Sequence, residues 1–487
     1  MTTPGGGAQD PAEAPPSDAA ISSSSAPPRG EPVLSQRISI LEGSLAGIHT
    51  TITSGTLLTA YALMLGSNDF QLGLLSALAA VATVGSVVGA QVVGRLGRRK
   101  PLSVVCSGGG RALWCLLCLL PFLPIHPSMR LGLFLAVVFV GNSLVNLSAT
   151  GWLSWMSDLV PIEQRGRYFG LRNTIIGTVV MLATFATGRI YDRFVARGED
   201  ASGLAWLFAA AAFVAALAAL TLTRQWEPPL RGERPIPLLA TLRKPFENRI
   251  YRRLLAFTIL WSSATGMASP FFAAQMIKNL KMSFSSMAAY SILAGILNLV
   301  SLPLWGRIID RVGNRPVLVF NIAGVSFLPL LWLFAAPGHL APIWIDACLT
   351  GLFWPGFALA SFNLVLATAP EENRTAYLGV QGMAVGLSTF LASLLGGAVA
   401  QGIRSFSFEG HGLSLANFHL LFILSALLRI SLLPVALTLR EERAGTVRAL
   451  LGLVGDEISQ RLPRSWQTWG AVLRRNDKPQ GGHDRSR

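Results

Sequence analysis

Long apolar runs broken by short polar connections dominate the chain. A helix needs about 20 apolar residues to cross a bilayer. Twelve runs approach that length, taken as spans 1 to 12: 42–66, 71–93, 102–124, 131–157, 168–190, 203–223, 253–276, 285–305, 317–336, 341–367, 376–401 and 415–438. Backbone in lipid must satisfy its own hydrogen bonds, so such runs are expected as helices. The pattern predicts an all-α polytopic membrane protein. Three polar stretches punctuate it. Residues 1–34 are rich in Pro, Ser, Gly and Ala and are expected as a disordered tail. The Pro- and Arg-rich stretch 224–252 divides the runs six and six, giving an N-terminal half 35–223 and a C-terminal half 253–439. Residues 440–487 form a basic tail.

Two connections occur twice, in the same order. Gly94-Arg95-Leu96-Gly97-Arg98-Arg99-Lys100-Pro101 is echoed near an offset of 216 by Gly306-Arg307-Ile308-Ile309-Asp310-Arg311-Val312-Gly313-Asn314-Arg315-Pro316. Pro161, Glu163, Arg165, Tyr168 and Gly170 recur at an offset of 209 as Pro370, Glu372, Arg374, Tyr377 and Gly379. Two loops repeating in order at similar offsets predict two pseudo-symmetric six-helix halves.

The G-x-I-x-D-R-x-G-N-R pattern at 306–315 resembles the loop 2–3 signature of the major facilitator superfamily of transporters, in its second-half position. The resemblance covers nearly the whole chain by span count and repeat. It implies alternating access around a mid-membrane cavity lined by spans 1, 4, 7 and 10, with spans 3, 6, 9 and 12 at the periphery. The Asp of that signature falls on Asp310, where the resemblance implies a role in holding the cytoplasmic side closed. Gly306, Arg311, Gly313 and Arg315 complete the motif, and Arg165 and Arg167 are its expected partners across the halves. The first half has Gly94 where that Asp would stand. Span 5 lacks the Gly-Pro-rich motif of drug–proton antiporters, and 224–234 lacks the Pro-Glu-Ser-Pro-Arg of sugar porters.

Composition agrees with the span pattern: of 487 residues, 51% are hydrophobic and 13% charged. The net charge of +15 is distributed topologically. Nineteen Lys and Arg fall in the connections on the side of loop 2–3, against seven opposite. Both termini are therefore expected in the cytoplasm, and nucleic-acid binding is not. The N-terminal tail has no apolar stretch like that of a signal peptide. The basic tail, with Leu450, Leu451, Leu453, Val454, Trp466 and Trp469, suits either an interfacial helix on anionic lipid or a solvated segment. Four cysteines predict no disulfide framework; Cys115-x-x-Cys118 lies in apolar span 3 and reads as packing. Gly85-x-x-x-Gly89 and Gly382-x-x-x-Gly386 read as close helix packing.

Ionisable groups inside a bilayer need a reason. Arg111 and Arg429 lie in spans 3 and 12, which the resemblance sets away from the cavity unless their side chains reach inward; pairing with carbonyls or bridging to the cytoplasmic side is the plainer expectation for both. Asp346 in span 10 and His49 in span 1 are candidate coupling groups, with His49 more simply a hydrogen-bonded helix residue. Asn142 and Asn146 share a face of span 4, since residues four apart are neighbours on a helix. Thr50, Ser54 and Tyr61 are read as one stripe of span 1. Trp261 and Gln275 in span 7, Asn298 in span 8, and Trp354 and Asn363 in span 10 complete the candidate substrate-binding set. Trp and Asn suit a neutral or polar organic ligand; the plainer reading is interhelical hydrogen bonding.

The expected function is secondary active or facilitative transport of a small organic solute. No cofactor and no metal are expected. A coupling proton or sodium ion, contact with membrane lipid, and a monomeric state are the partner expectations. Rival readings are a polytopic lipid-modifying enzyme, which would need a cluster of His, Asp or Glu at a membrane face, and a lipid flippase or transport-dead sensor on the same fold.

Overall fold

A computed structural model describes residues 31–229, 243–370, 374–410 and 413–439, together with Glu441 and Leu450. The readings made for residues 1–30, for 230–242 and for an interfacial helix in the C-terminal tail lie outside the described residues.

Every predicted span is helical. Their observed ranges are Glu31–Thr53 with Gly55–Met64, Asp69–Leu96, Lys100–Phe122, Pro127–Leu159, Arg165–Val195 and Asp200–Thr223 in the first half. In the second they are Arg249–Gly266 with Ser269–Lys278, Phe284–Val312, Asn314–Phe334, Ala341–Thr368, Arg374–Gly402, and Asn417–Ser431 with Leu433–Leu437. The first helix thus begins at Glu31, inside the stretch expected to be a disordered tail, and the second half begins at Arg249, inside the expected linker. Eleven of these spans are long and apolar enough to cross a membrane. Span 1 is the twelfth and is broken in two: Ser54 is extended and Gly55 has φ +60°, a conformation available to glycine at no steric cost. A short antiparallel hairpin, Ser407–Gly410 with Leu413–Ala416, departs from the all-helical expectation between spans 11 and 12.

Local chemistry fixes the helix ends. Asn68 and Gln71 form a reciprocal capping box at the start of span 2, each side chain accepting the other's backbone N–H at 2.8 Å. Gly97 and Gly313 end spans 2 and 8 with φ of +62° and +86°, a region that favours glycine in both loops, but with ψ of 8° and 173° the turns differ: Gly97 is a left-handed cap and Gly313 is not. The next helix is capped from afar in both halves. Glu227, just after span 6, accepts the backbone N–H groups of Arg99 and Lys100 at the start of span 3. Glu441, just after span 12, accepts those of Asn314 and Arg315 at the start of span 9. A carboxylate at a helix N-terminus satisfies otherwise orphaned donors and meets the positive end of the helix dipole. In the first half Arg99 is fully buried and also binds Asp158 at 2.6 Å and the Ser154 carbonyl at 2.8 Å.

Aromatic side chains fill the cores. Tyr61, Trp114, Phe134 and Phe208 pack in the first half. Tyr251, Trp261 and Trp305 belong to a second cluster in the second half. Large apolar residues such as Leu119, Leu182, Trp206 and Phe213 are exposed on the outside of spans 3, 5 and 6, the surface that lipid would cover.

The polar contacts that join the halves gather at the face opposite the basic loops. Asp69, at the start of span 2, binds Lys278 of span 7 at 2.9 Å and Asn417 of span 12 at 3.1 Å. Asp192, at the end of span 5, accepts the Phe284 and Ser285 N–H groups that open span 8. Helix contacts follow the same gradient. A Cβ on Gly73 would lie 2.5 Å from the Ser393 carbonyl oxygen, and one on Gly386 3.0 Å from that of Ala80. Nearer the basic face, Gly379 approaches only the tip of Val87, at 4.0 Å, and Gly382 meets nothing within that distance. Spans 2 and 11 therefore close together at the opposite face and spread toward the basic one.

Candidate functional site

The second half holds an open-sided cavity of about 330 Å³ to whose wall all six of its spans contribute. Span 7 brings Thr265, Ser269, Phe272 and Met276; spans 8 and 9 bring Tyr290 and Trp332; span 10 brings Asp346, Thr350 and Trp354; spans 11 and 12 bring Thr389 and Arg429. Three of the span 10 residues recur every four positions, which puts them on one helix face. The break between Gly266 and Ser269 lets span 7 contribute on both sides of its bend.

Two ionisable groups face this space. Tyr290 donates its hydroxyl to Asp346 Oδ2 at 2.6 Å, and Trp332 and Thr350 approach the same carboxylate. Arg429 is 3% exposed and donates from Nη1 to the Val325 carbonyl at 3.3 Å, while its Nε has no partner. Of the placements open to Arg429, the structure shows the inward one: its side chain reaches from span 12 to the cavity. The signal was present in the sequence. His419, Phe422, Ala426 and Arg429 are spaced three or four apart and form the buried face of that helix. Tyr290 carried no comparable signal, since nothing in its neighbourhood distinguishes it from a lipid-facing tyrosine.

The first half holds a different ionic cluster. Arg111 pairs with Glu42 at 3.0 Å, giving it a carboxylate partner instead of the carbonyls expected from the sequence. Arg172 of span 5 lies 4.6 Å over the Trp152 ring and donates to Ser39 Oγ at 3.3 Å.

The substrate candidates separate. Trp354 lines the cavity, and Trp261 packs behind it with ring centroids 6.5 Å apart. Gln275 is buried and committed to structure, contacting His419 Nε2 at 2.9 Å and accepting from Asn279. The span 1 stripe does not survive the break at Ser54. Thr50 and Ser54 are exposed and bond back to their own helix, whereas Tyr61 is fully buried and donates to the Leu117 carbonyl at 2.6 Å. Asn142 and Asn146 bond to the carbonyls four residues earlier, lie in the other half and do not line this cavity. Asn146 packs where span 4 meets Gly85 of span 2. Asn298 and Asn363 are half-buried and also lie off the cavity wall. His49 is buried, with Nδ1 3.2 Å from the Ala211 carbonyl and its ring against Trp114, so the hydrogen-bonded reading describes it.

A family model described as Major Facilitator Superfamily matches residues 43–345 and 254–477. The chain belongs to the major facilitator superfamily. Its similarity to curated relatives is partial. It is 26% identical over 148 residues to the class H tetracycline resistance protein of Pasteurella multocida, and 28% identical over 109 residues to the class E protein of Escherichia coli. The matched stretches cover 30% and 22% of this chain and 36% and 26% of those relatives. Among solved structures, the D-xylose-proton symporter aligns with a TM-score of 0.64 at 15% identity, over 84% of this chain and 98% of that one. The nucleoside transporter NupG aligns at 0.63 and 13%, over 85% and 100%. These likenesses establish the fold, and this major facilitator chain is an integral membrane protein.

The connection expected over 306–316 is shorter than the sequence suggests: span 8 stays helical to Val312 and span 9 starts at Asn314, with Gly313 between them. Gly306 lies in the last turns of span 8 and Gly313 ends it. Asp310 and Arg311 are exposed, and Arg315 donates its backbone N–H to Glu441. Arg165 bonds the Ser157 and Val160 carbonyls of its own half, and neither it nor Arg167 pairs with Asp310. With the halves clasped at the opposite face, the basic-face ends are spread and no such pairing forms.

Proposed function

We propose that the protein is a secondary transporter that moves a small organic solute by alternating access, with the second-half cavity as its binding site. One observation carries the reading: a cavity of about 330 Å³, walled by aromatic rings, hydroxyls and two buried ionisable groups, inside a bundle whose halves meet tightly at one face only. Such a mixture of apolar walls and few polar groups is the usual make-up of a small-molecule site. A buried carboxylate within a span is a natural proton carrier, so Asp346 is assigned that role, with Tyr290 holding the carboxyl in place. The positive-inside bias of the loops supports a cytoplasmic basic face and cytoplasmic termini in the plasma membrane. Asp310 then belongs to the opposite state, in which the cytoplasmic side closes and brings it toward Arg165 and Arg167.

The test is transport by purified protein in liposomes under an imposed pH gradient, screened against a mixture of metabolites and tetracycline, the latter because two relatives bear its name. The reading expects at least one solute to move, with Asp346→Asn abolishing its response to the gradient and Trp354→Ala weakening its uptake. A solute whose movement ignores both substitutions places the binding site elsewhere.

A further inference from the structure

The charges around the cavity point to a narrower substrate class, an inference that rests on the reading just proposed. Arg429 is a buried cation with an unpartnered Nε on the cavity wall, and no carboxylate lies within ion-pair reach of it among the described residues. Asp346 faces the same space but is engaged by Tyr290. Asp346 therefore balances the charge of Arg429 across the cavity without touching it, which leaves the guanidinium's Nε donor unfilled. An unfilled buried donor is unfavourable, and a guanidinium is a well-matched receptor for a planar carboxylate. Phe272, Tyr290, Trp332 and Trp354 supply flat apolar surface around it.

We propose that the cavity takes a small organic carboxylate with a planar or apolar body, its carboxylate on Arg429, and that Asp346 is protonated whenever the anion is bound. The charge balance gives the second half of the statement. With Arg429 cationic and Asp346 ionised, the empty cavity is neutral. An added carboxylate makes it −1; a proton moved from solvent onto the Asp346 carboxyl returns it to neutral. A proton without the anion leaves it at +1. Unbalanced charge carried through the low-dielectric interior of the membrane is costly, so the two neutral forms, empty and doubly loaded, are the ones that pass between states. Anion and proton travel together, in the same direction, and without net charge. Arg429 on span 12 is the one charged group facing Asp346 in this space; span 8 presents Tyr290, span 9 Trp332, and span 7 Thr265 and Phe272, all uncharged.

The experiment uses the full-length protein in detergent with three matched probes, benzoate, benzamide and benzylamine, read by thermal melting and by fluorescence of the cavity tryptophans. Benzoate is expected to raise the melting temperature and quench fluorescence, its binding tightening from pH 8 to pH 6, with the amide and the amine inert. Arg429→Gln is expected to weaken benzoate by at least about tenfold, Arg429→Lys to weaken it less, and Asp346→Asn to bind it without pH dependence. If Arg429→Gln does not fold, Arg429→Lys and the three-probe comparison decide. Equal binding of benzamide, preferential binding of benzylamine, no binding of benzoate, or benzoate binding indifferent to both Arg429 variants overturns the proposal. The broader transport reading fails on a different result, a transported solute unaffected by Trp354→Ala and Asp346→Asn in liposomes.

Discussion

Gly73→Ala tests how the halves are held together. The added Cβ would sit 2.5 Å from the Ser393 carbonyl oxygen and 2.7 Å from Gly397 Cα. Both obstacles are backbone on span 11, so no side-chain rotation relieves them and the two helices must separate. Overpacking of this kind costs about 1–3 kcal/mol. The clash exists only while spans 2 and 11 touch at the opposite face, so the cost falls on that state alone. Differential free energy of this size shifts a two-state equilibrium about 5–150-fold. Gly382→Ala is the control. It adds the same methyl to a helix of the same pair, with the same gain in helix propensity, but at a position with nothing within 4 Å. Spin labels at the exposed positions Arg197 and Lys281, one in each half near the clasped face, report the separation by pulsed dipolar spectroscopy. Gly73→Ala is expected to populate longer distances, while Gly382→Ala retains the wild-type distribution. Identical distributions for the two variants would refute the claim that this backbone contact holds the face shut.

The remaining predictions concern single side chains. Tyr61→Phe removes a buried hydroxyl and orphans the Leu117 carbonyl, so it is expected to lower stability by about 1–2 kcal/mol in thermal melts with solute affinity unchanged. Glu441→Ala uncaps span 9 and is expected to cost about 1 kcal/mol; Glu227→Ala should cost more, since it also strips a neighbour from buried Arg99, and the paired melts check the order. Asn142→Ala and Asn146→Ala remove amides bonded only within their own helix; melting should be unchanged, and a severalfold rise in the apparent solute constant would show that this face of span 4 meets the solute in another state. Asp310→Asn is expected to slow transport at normal expression by destabilising the cytoplasm-closed state; an unchanged rate and affinity would remove that role.

How far the sequence could be read follows from what each signal encodes. Hydrophobic runs encode burial in lipid, and all twelve were legible. The loop repeat encodes where glycine is needed, and Gly97 and Gly313 both take a positive φ, although they leave their helices in different directions. Breaks within a run are silent in hydropathy, so the bend at Ser54, which separates buried Tyr61 from exposed Thr50 and Ser54, is not legible in the sequence. Which way a helix faces requires its neighbours: the sequence leaves Arg429 either peripheral or reaching inward, and only the packing of span 12 decides for the second. Asp346 was found because a carboxylate in an apolar run is conspicuous. Its partner Tyr290 was not, because tyrosine is at home in lipid, protein core and cavity alike. The distant caps Glu227 and Glu441 sat in segments read only for their length and basic charge.

Those two glutamates bear on how the molecule is assembled. Each fastens the tail end of a six-helix set to that set's own third helix, at the same edge and through the same pair of backbone donors. A half is therefore buckled to itself before the chain continues. Because each half carries its own closure, dividing the protein into two co-expressed chains within 230–242 is expected to leave both glutamate caps in place.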